Sequence, residues 1–273
     1  MKEYTVEQAE YLKEFTDNVC AQASFCFRTL LKNKEIRING VKTDKNVLLE
    51  KGDVVRYYLT SAQESKKAFK PVYEDEYVIV IDKENGVNSE AVFSALKEKG
   101  ARFIHRLDRN TQGLMIFAKT KQAEEELLTL FKERKIKKVY HAFCVGSLPK
   151  KQDVLTAYLV KEKEKSTVKI YDRPAPNCEQ IITEYTVLKE LDGYTVVEII
   201  LHTGKTHQIR AHLAHIGNPV LGDNKYGDET ANAKNKAKRQ RLVAKNLSLE
   251  SDGILQYLNG KIFVSTFSVE NDG

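Results

Sequence analysis

Apolar positions along the chain change rhythm near residue 70. Before it, residues 5–18 carry apolar groups at helical spacing, and Ala23, Phe27, Leu30 and Leu31 repeat that spacing. "IRINGVK" then alternates: Ile36 and Ile38 share a strand face, Asn39-Gly40 makes a turn, and Val41 lies beyond it. "EKGDVVRYYL" adds a turn at Gly52-Asp53 and another strand. Helices followed by small strands predict a compact α+β module over residues 1–60. Residues 61–70, "SAQESKKAFK", are polar, lack any period and read as a linker.

From about residue 71 strand-like runs dominate. They are "YVIVID" (77–82), "LMIFA" (114–118), "VYHAFCV" (139–145), "QIITEYTVL" (180–188), "YTVVEIIL" (194–201) and "IFVSTF" (262–267). One clear helix interrupts them, with Ala123, Leu127, Leu130 and Phe131 in a stripe and Thr120 placed as its N-cap. Strands outnumber helices and do not alternate with them. The pattern therefore predicts an α+β fold, with a mixed, largely antiparallel sheet over 71–273 rather than a doubly wound one.

Composition narrows the class. At 273 residues and 41% hydrophobic, the chain can bury a sizeable core. No apolar run reaches the length of a membrane span and the start is not signal-like, so a soluble, cytoplasmic monomer without membrane contact is expected. Cys20, Cys26, Cys144 and Cys178 are scattered, which speaks against both a zinc site and a disulfide framework. The net charge of +6 is concentrated in "KERKIKK" (132–138) and "KNKAKRQRLVAK" (234–245). Each run alone reads as a solvated helix face; together they point to a polyanionic partner.

Candidate chemistry comes down by elimination to one carboxylate. Gly204-Lys205-Thr206 ends like a phosphate-binding loop, but the glycine required five positions earlier is Ile199. The segment predicts a helix instead: Thr206 as cap, Ile209, Leu213 and Ile216 as its apolar stripe, and Gly217 as its end. Gln208 and Arg210 then point away from that stripe or to its edge. His207, His212 and His215 have no further ligand at metal spacing, so no metal is expected. No G-x-S-x-G string is present either. What remains is "HRLDRNTQGL" (105–114), with Asp108 between Arg106 and Arg109. It reads either as a salt-bridged loop or as a reactive carboxylate held among cations.

Three segments, in order, resemble the RluA-type pseudouridine synthases. "HRLDRNTQGL" is similar to the family's H-R-L-D-x-x-T-S-G-L, "KVYHAFCVG" (138–146) to its K-x-Y-x-A-x-V-x-G strand, and "LHTGKTHQIRAHLAHIGNPVLGDNKYG" (201–227) to its third motif. "LLKNKEIRINGVKTDKNVLLEKGDVVRYY" (30–58) resembles the small RNA-binding domain named after ribosomal protein S-four. The resemblance implies an enzyme that converts uridine to pseudouridine in ribosomal or transfer RNA, without metal or other cofactor. Asp108 would be the catalytic carboxylate, Arg210 its partner, and Tyr140 the residue against the uracil. Arg106 would handle the strand left by a flipped base, or be a surface ion pair; Arg109 keeps only the salt-bridge reading. His105, Thr111, Lys138, Lys205, His207 and Gln208 complete the substrate side. Two departures stand out: Gln112 replaces the serine before Gly113, and "DKENG" (82–86) replaces the usual K-P-x-G loop. The competing reading is a non-catalytic RNA-binding or ribosome-assembly factor on the same fold.

Overall fold

The segment 5–18, read as helical from its apolar spacing, is helical only in its later part. In a computed structural model that describes residues 1–162 and 166–270, β1 (Lys2–Thr5) and β2 (Glu10–Tyr11) precede α1 (Leu12–Val19). Short terminal helices gain little on their own, so pairing in a sheet overrides the spacing. There follow α2 (Ala21–Phe25), α3 (Phe27–Lys32), β3 (Ile36–Ile38), β4 (Val41–Thr43), β5 (Leu48–Leu49) and β6 (Val54–Tyr57). Asn39 and Gly40 both have positive φ (50° and 85°), as a two-residue hairpin turn demands. β1, β6, β3 and β4 form a four-stranded antiparallel sheet in that order. Leu12, Phe15, Leu30, Ile36, Leu49, Val55 and Tyr57 fill the core beside it.

The 61–70 stretch is less featureless than its composition suggests. Thr60 and Gln63 form a reciprocal capping box that starts α4 (Ser61–Glu64). β7 (Phe69–Glu74) and the fully buried β8 (Val78–Lys83) come next, then α5 (Ser89–Leu96), which packs against α1. The chain separates into two compact units by its contacts. Met1–Arg109 and Met115–Glu124 make the first; Asn110–Leu114 and the described residues from Glu125 onward make the second.

The second unit is built on a large antiparallel sheet. β9 (Gln112–Ala118) and α6 (Lys121–Lys132) lead into it, and Thr120 caps α6 through an N–H bond from Ala123 (3.2 Å), as its position predicts. The remaining elements are β10 (Ile136–Val145), β11 (Gln152–Glu162), β12 (Thr167–Tyr171), β13 (Glu179–Leu191), β14 (Tyr194–Leu201), α7 (Gln208–His215), α8 (Glu229–Lys234), β15 (Leu242–Leu249) and β16 (Phe263–Val264). The sheet runs β12-β11-β13-β14-β10-β15, every neighbour antiparallel, with β16 also on β15. The fold is thus mixed α+β with a mostly antiparallel sheet. The basic run at 234–245 corrects one expectation: it is not a helix face, because its last four residues, Leu242–Lys245, begin the buried strand β15. Among the described residues no helix is long and apolar enough to cross a membrane.

β9 enters this sheet parallel to β15, through Gln112 opposite Val243 and Gly113 opposite Ala244. Gly113 has φ +116°, and a Cβ there would lie 2.3 Å from the Ala244 carbonyl oxygen. Backbone this close, in this conformation, admits only glycine. Gly113→Ala is expected to destabilise the protein by at least about 2 kcal/mol, from strain and overpacking together. Urea unfolding measures it; a change under about 0.5 kcal/mol would contradict the close approach.

Candidate active site

Asp108 lies on a segment that has almost no regular structure of its own, so its position depends on tethers. Arg102 and Ala118 bond reciprocally through their backbones, which ties the start of the segment to the end of β9. The Ile116 N–H donates to His105 Nε2 (3.1 Å), holding the next turn against the same strand. Buried Ser89, at the start of α5, receives the Leu107 N–H (3.0 Å) and donates to the Leu107 carbonyl (2.9 Å). Lys83, fully buried at the end of β8, donates to the Arg109 carbonyl (3.1 Å). The half-buried Asp108 therefore stands between two residues whose backbones are both pinned. Burial pushes the Lys83 ammonium down to about 7, against the charge of Asp108, which favours the protonated form.

The flanking cations are engaged elsewhere within the same unit. Exposed Arg106 pairs with Glu90 of α5 at 3.0 Å. Arg109 pairs with Asp17 of α1 through Nη1 and donates to Ser24 through Nη2 (3.0 Å). Asp17 also accepts from Lys13 and Ser24, so one carboxylate gathers three donors. Both arginines thus form ion pairs with partners outside the loop.

Thr111, Lys138, Tyr140, Lys205, His207, Gln208 and Arg210 stand in the second unit. Tyr140 is buried in β10, at a bulge where the register with β15 shifts between Val139 and Tyr140. Such bulges re-aim a side chain. Thr111 is buried and accepts from Gln240 Nε2 (3.0 Å), which anchors the residue before β9. Lys138 Nζ lies 5.1 Å from the Phe131 ring centre, and desolvation lowers its ammonium from the ordinary value. Lys205 Nζ pairs with Glu179 at 2.7 Å.

Helix α7 differs from its expected form at its cap. Thr206 does not cap it; His207 occupies the cap position in the left-handed region (φ 54°), and its Nδ1 meets the Tyr226 hydroxyl at 2.9 Å. Gln208 and Arg210 are both buried. Each is satisfied there: Gln208 accepts from Thr203 and the Lys205 N–H and donates to Thr183 and the Ile182 carbonyl. His212 contacts the Thr183 hydroxyl at 3.0 Å, and burial pushes it down to about 4, so it is neutral at pH 7. His215 pairs with Asp172 at 2.7 Å.

Arg210 is held by a residue to which the sequence reading assigned no role. Asp223, with no side-chain exposure, takes Nε at 2.6 Å and Nη2 at 2.9 Å in a fork. It also accepts the N–H groups of Lys225 (2.8 Å) and Tyr226 (3.1 Å). Burial raises its carboxyl, but the Arg210 bonds and charge and those N–H groups outweigh that and hold it below its ordinary value. The Tyr226 ring lies 5.3 Å from the guanidinium carbon. Asp223 sits inside "VLGDNKYG", and only its run of turn-forming residues could have marked it. Among the described residues no group of three or more His, Cys, Asp or Glu could hold a metal.

Chemically, the first unit offers a carboxylate on a pinned loop and the second a guanidinium with one edge fixed. Asp223→Ala would leave Arg210 buried without this carboxylate, and urea unfolding is expected to show a loss of about 3–5 kcal/mol. Because the Asp223 carboxyl is held low, its contribution is full at neutral pH and disappears as pH falls through its folded value. The variant's stability deficit should therefore shrink in acid; a deficit independent of pH would contradict the pairing.

Comparison with known proteins converges on one family. A family model described as RNA pseudouridylate synthase matches residues 66–215. The "Ribosomal large subunit pseudouridine synthase C" of Rickettsia bellii is 33% identical over 230 residues, covering 73% of this chain and 76% of that one. Its namesake from Vibrio cholerae serotype O1 is 29% identical over 231 residues, covering 75% and 72%. Among solved structures, "Human RNA Pseudouridylate Synthase Domain Containing 1" superposes with a TM-score of 0.61 at 27% identity, over 67% of this chain and 79% of that one.

Proposed function

The chain belongs to the RNA pseudouridylate synthase family, and from that premise we propose that it isomerises uridines in large-subunit ribosomal RNA with Asp108 as its catalytic carboxylate. The observation that carries the assignment of Asp108 is its tethering. Ser89 and Lys83 pin the residues on either side of it, so the carboxylate is presented in one place without a general base to activate it. The names of the bacterial relatives support the choice of RNA.

In the reaction the bond from uracil N1 to ribose C1′ breaks, the base turns, and a bond from C5 to C1′ forms. The C5 hydrogen is then lost and N1 ends protonated. Asp108 supplies the nucleophile that carries the fragment between these steps. Arg210, its edge set by Asp223, orients that carboxylate. Tyr140 lies against the uracil and serves the closing proton transfers. The target base must leave its stack first, at a cost of a few kcal/mol. Arg106, on an exposed side chain, takes the space it vacates. His105, Thr111, His207 and Gln208 shape the substrate side, and Lys138, Lys205 and the basic run at 234–241 meet phosphates.

The first sixty residues act as an RNA-holding module like that of ribosomal protein S-four. Their sheet sets Arg56 opposite Arg37 and Arg37 opposite Lys42, with Glu3 beyond Arg56 and ion-paired to it, so the like charges meet at Arg37. Directly opposed like charges destabilise a sheet, so such a row fits an anionic partner.

Two measurements test these assignments. With RNA tritiated at uracil C5, turnover releases tritium; Asp108→Asn is expected to reduce release about 10³-fold or more while RNA affinity stays within about twofold. Retained turnover would remove Asp108 from its role. For the module, the pair Arg37→Gln and Lys42→Gln should reduce the slope of log affinity against log salt by about 1–2. An unchanged slope would mean that the row does not face RNA.

A further inference from the structure

Glu90 has no part in the proposed reaction, yet it holds a residue that does. Its Oε1 lies 3.0 Å from Arg106 Nη1, and the two ends of this pair differ in freedom. Glu90 stands in the first turn of α5, where a negative charge is favoured, and its side chain is 32% exposed. Its other oxygen, Oε2, is buried with no hydrogen-bond partner among the described residues. The Arg106 side chain is 67% exposed and rises from a segment without regular structure. When the pair breaks, the guanidinium moves and the carboxylate stays.

We propose that Glu90 is a positioning residue that berths Arg106 until RNA is bound, so that this pair sets how readily Arg106 enters the space left by the flipped base. This rests on the reading of Arg106 as the residue that takes that space. Three features suit a berth better than a fixed strut. The pair is exposed at one end, and exposed pairs favour the closed form by a factor of only about one to five. A cavity of about 440 Å³ adjoins Glu90 inside the first unit, lined also by Glu7, Glu10 and Asn18, so water can solvate the carboxylate that Arg106 leaves. The main chain beside Arg106 is held separately, by Ser89 at Leu107, so the side chain can depart while Asp108 keeps its place.

The consequence for binding follows from populations. Arg106 cannot serve Glu90 and RNA together, so the pair reduces the fraction of molecules ready to engage RNA. Weakening the pair raises apparent affinity by the same factor. Arg106 is already in the RNA in both the bound complex and the transition state, so the gain falls on KM and leaves kcat alone. RNA that offers Arg106 no vacated space gains nothing. Glu90 thereby contributes to selectivity without touching the substrate.

The test uses the full chain, large-subunit ribosomal RNA tritiated at uracil C5, and poly(A) as an RNA without uridine. Glu90→Gln keeps an acceptor oxygen but removes the charge, so Arg106 stays clear of Asp108 while being held less. KM on ribosomal RNA is expected to fall about two- to fivefold, with kcat and poly(A) affinity unchanged. In an Arg106→Gln background the same substitution should change nothing, which a double-mutant cycle reads directly. Where Arg106→Gln turns over too slowly for KM, equilibrium affinity for ribosomal RNA completes the cycle. An unchanged KM in Glu90→Gln would overturn the proposal. So would an equal gain on poly(A), or a gain that persists without Arg106, since either means a general repulsion of phosphate. A fall in kcat together with melting temperature would mark Glu90 as support for α5 and overturn it too. If Arg106→Gln alone behaves as wild type, the reading of Arg106 fails and the berth with it. If it impairs turnover while Glu90→Gln does nothing, that reading stands and the role of Glu90 falls.

Discussion

A carboxylate placed between two arginines is neutralised by them unless each is engaged elsewhere, and the loop at Asp108 meets that condition. Glu90 takes Arg106 and Asp17 takes Arg109, each from a helix outside the loop. The backbone is secured independently, by Ser89 at Leu107 and Lys83 at Arg109. Side-chain charge and main-chain position are thus controlled by different residues. A substitution at one set need not disturb the other.

The cations of this protein fall into two kinds. Lys83 and Arg210 are buried, and their bonds fix geometry: one across three carbonyls, the other in a fork on Asp223. Exposed or half-exposed cations such as Lys205, Arg37 and Lys42 order little of the core. The field of such cations is screened by salt. Buried cations are insensitive to that screening and depend on their few specific neighbours instead.

Strands with dense, β-branched apolar runs, such as β8 and β14, were legible from the sequence, as was α6 with its Thr120 cap. β11 was not: Val154 is 55% exposed, and the strand has no consistently apolar face. β15 was hidden because cations crowd the residues just before it, 234–241, and mask its apolar start at Leu242, Val243 and Ala244. At α7, spacing marked the helix but could not tell that Gln208 and Arg210 are buried, since polar residues bury when their donors and acceptors are met. Asp223 and Lys83 escaped notice for a related reason. Their importance lies in contacts made 13 and 26 residues away, and periodicity does not encode such contacts. Asp108, Tyr140 and Arg210 were singled out by ordered motifs, which carry that distant information where local pattern does not.

The bond from Arg109 to Asp17 joins the residue after Asp108 to a helix within the first twenty positions. Descent through shuffling of modules treats such an N-terminal segment as an interchangeable part. Here it is not, because an incoming replacement without a carboxylate at the matching place would leave the Arg109 guanidinium without this acceptor, next to Asp108. Positions 17 and 109 should therefore covary through ancestry, and lineages that lost the module should show a second change near Arg109 that restores an acceptor.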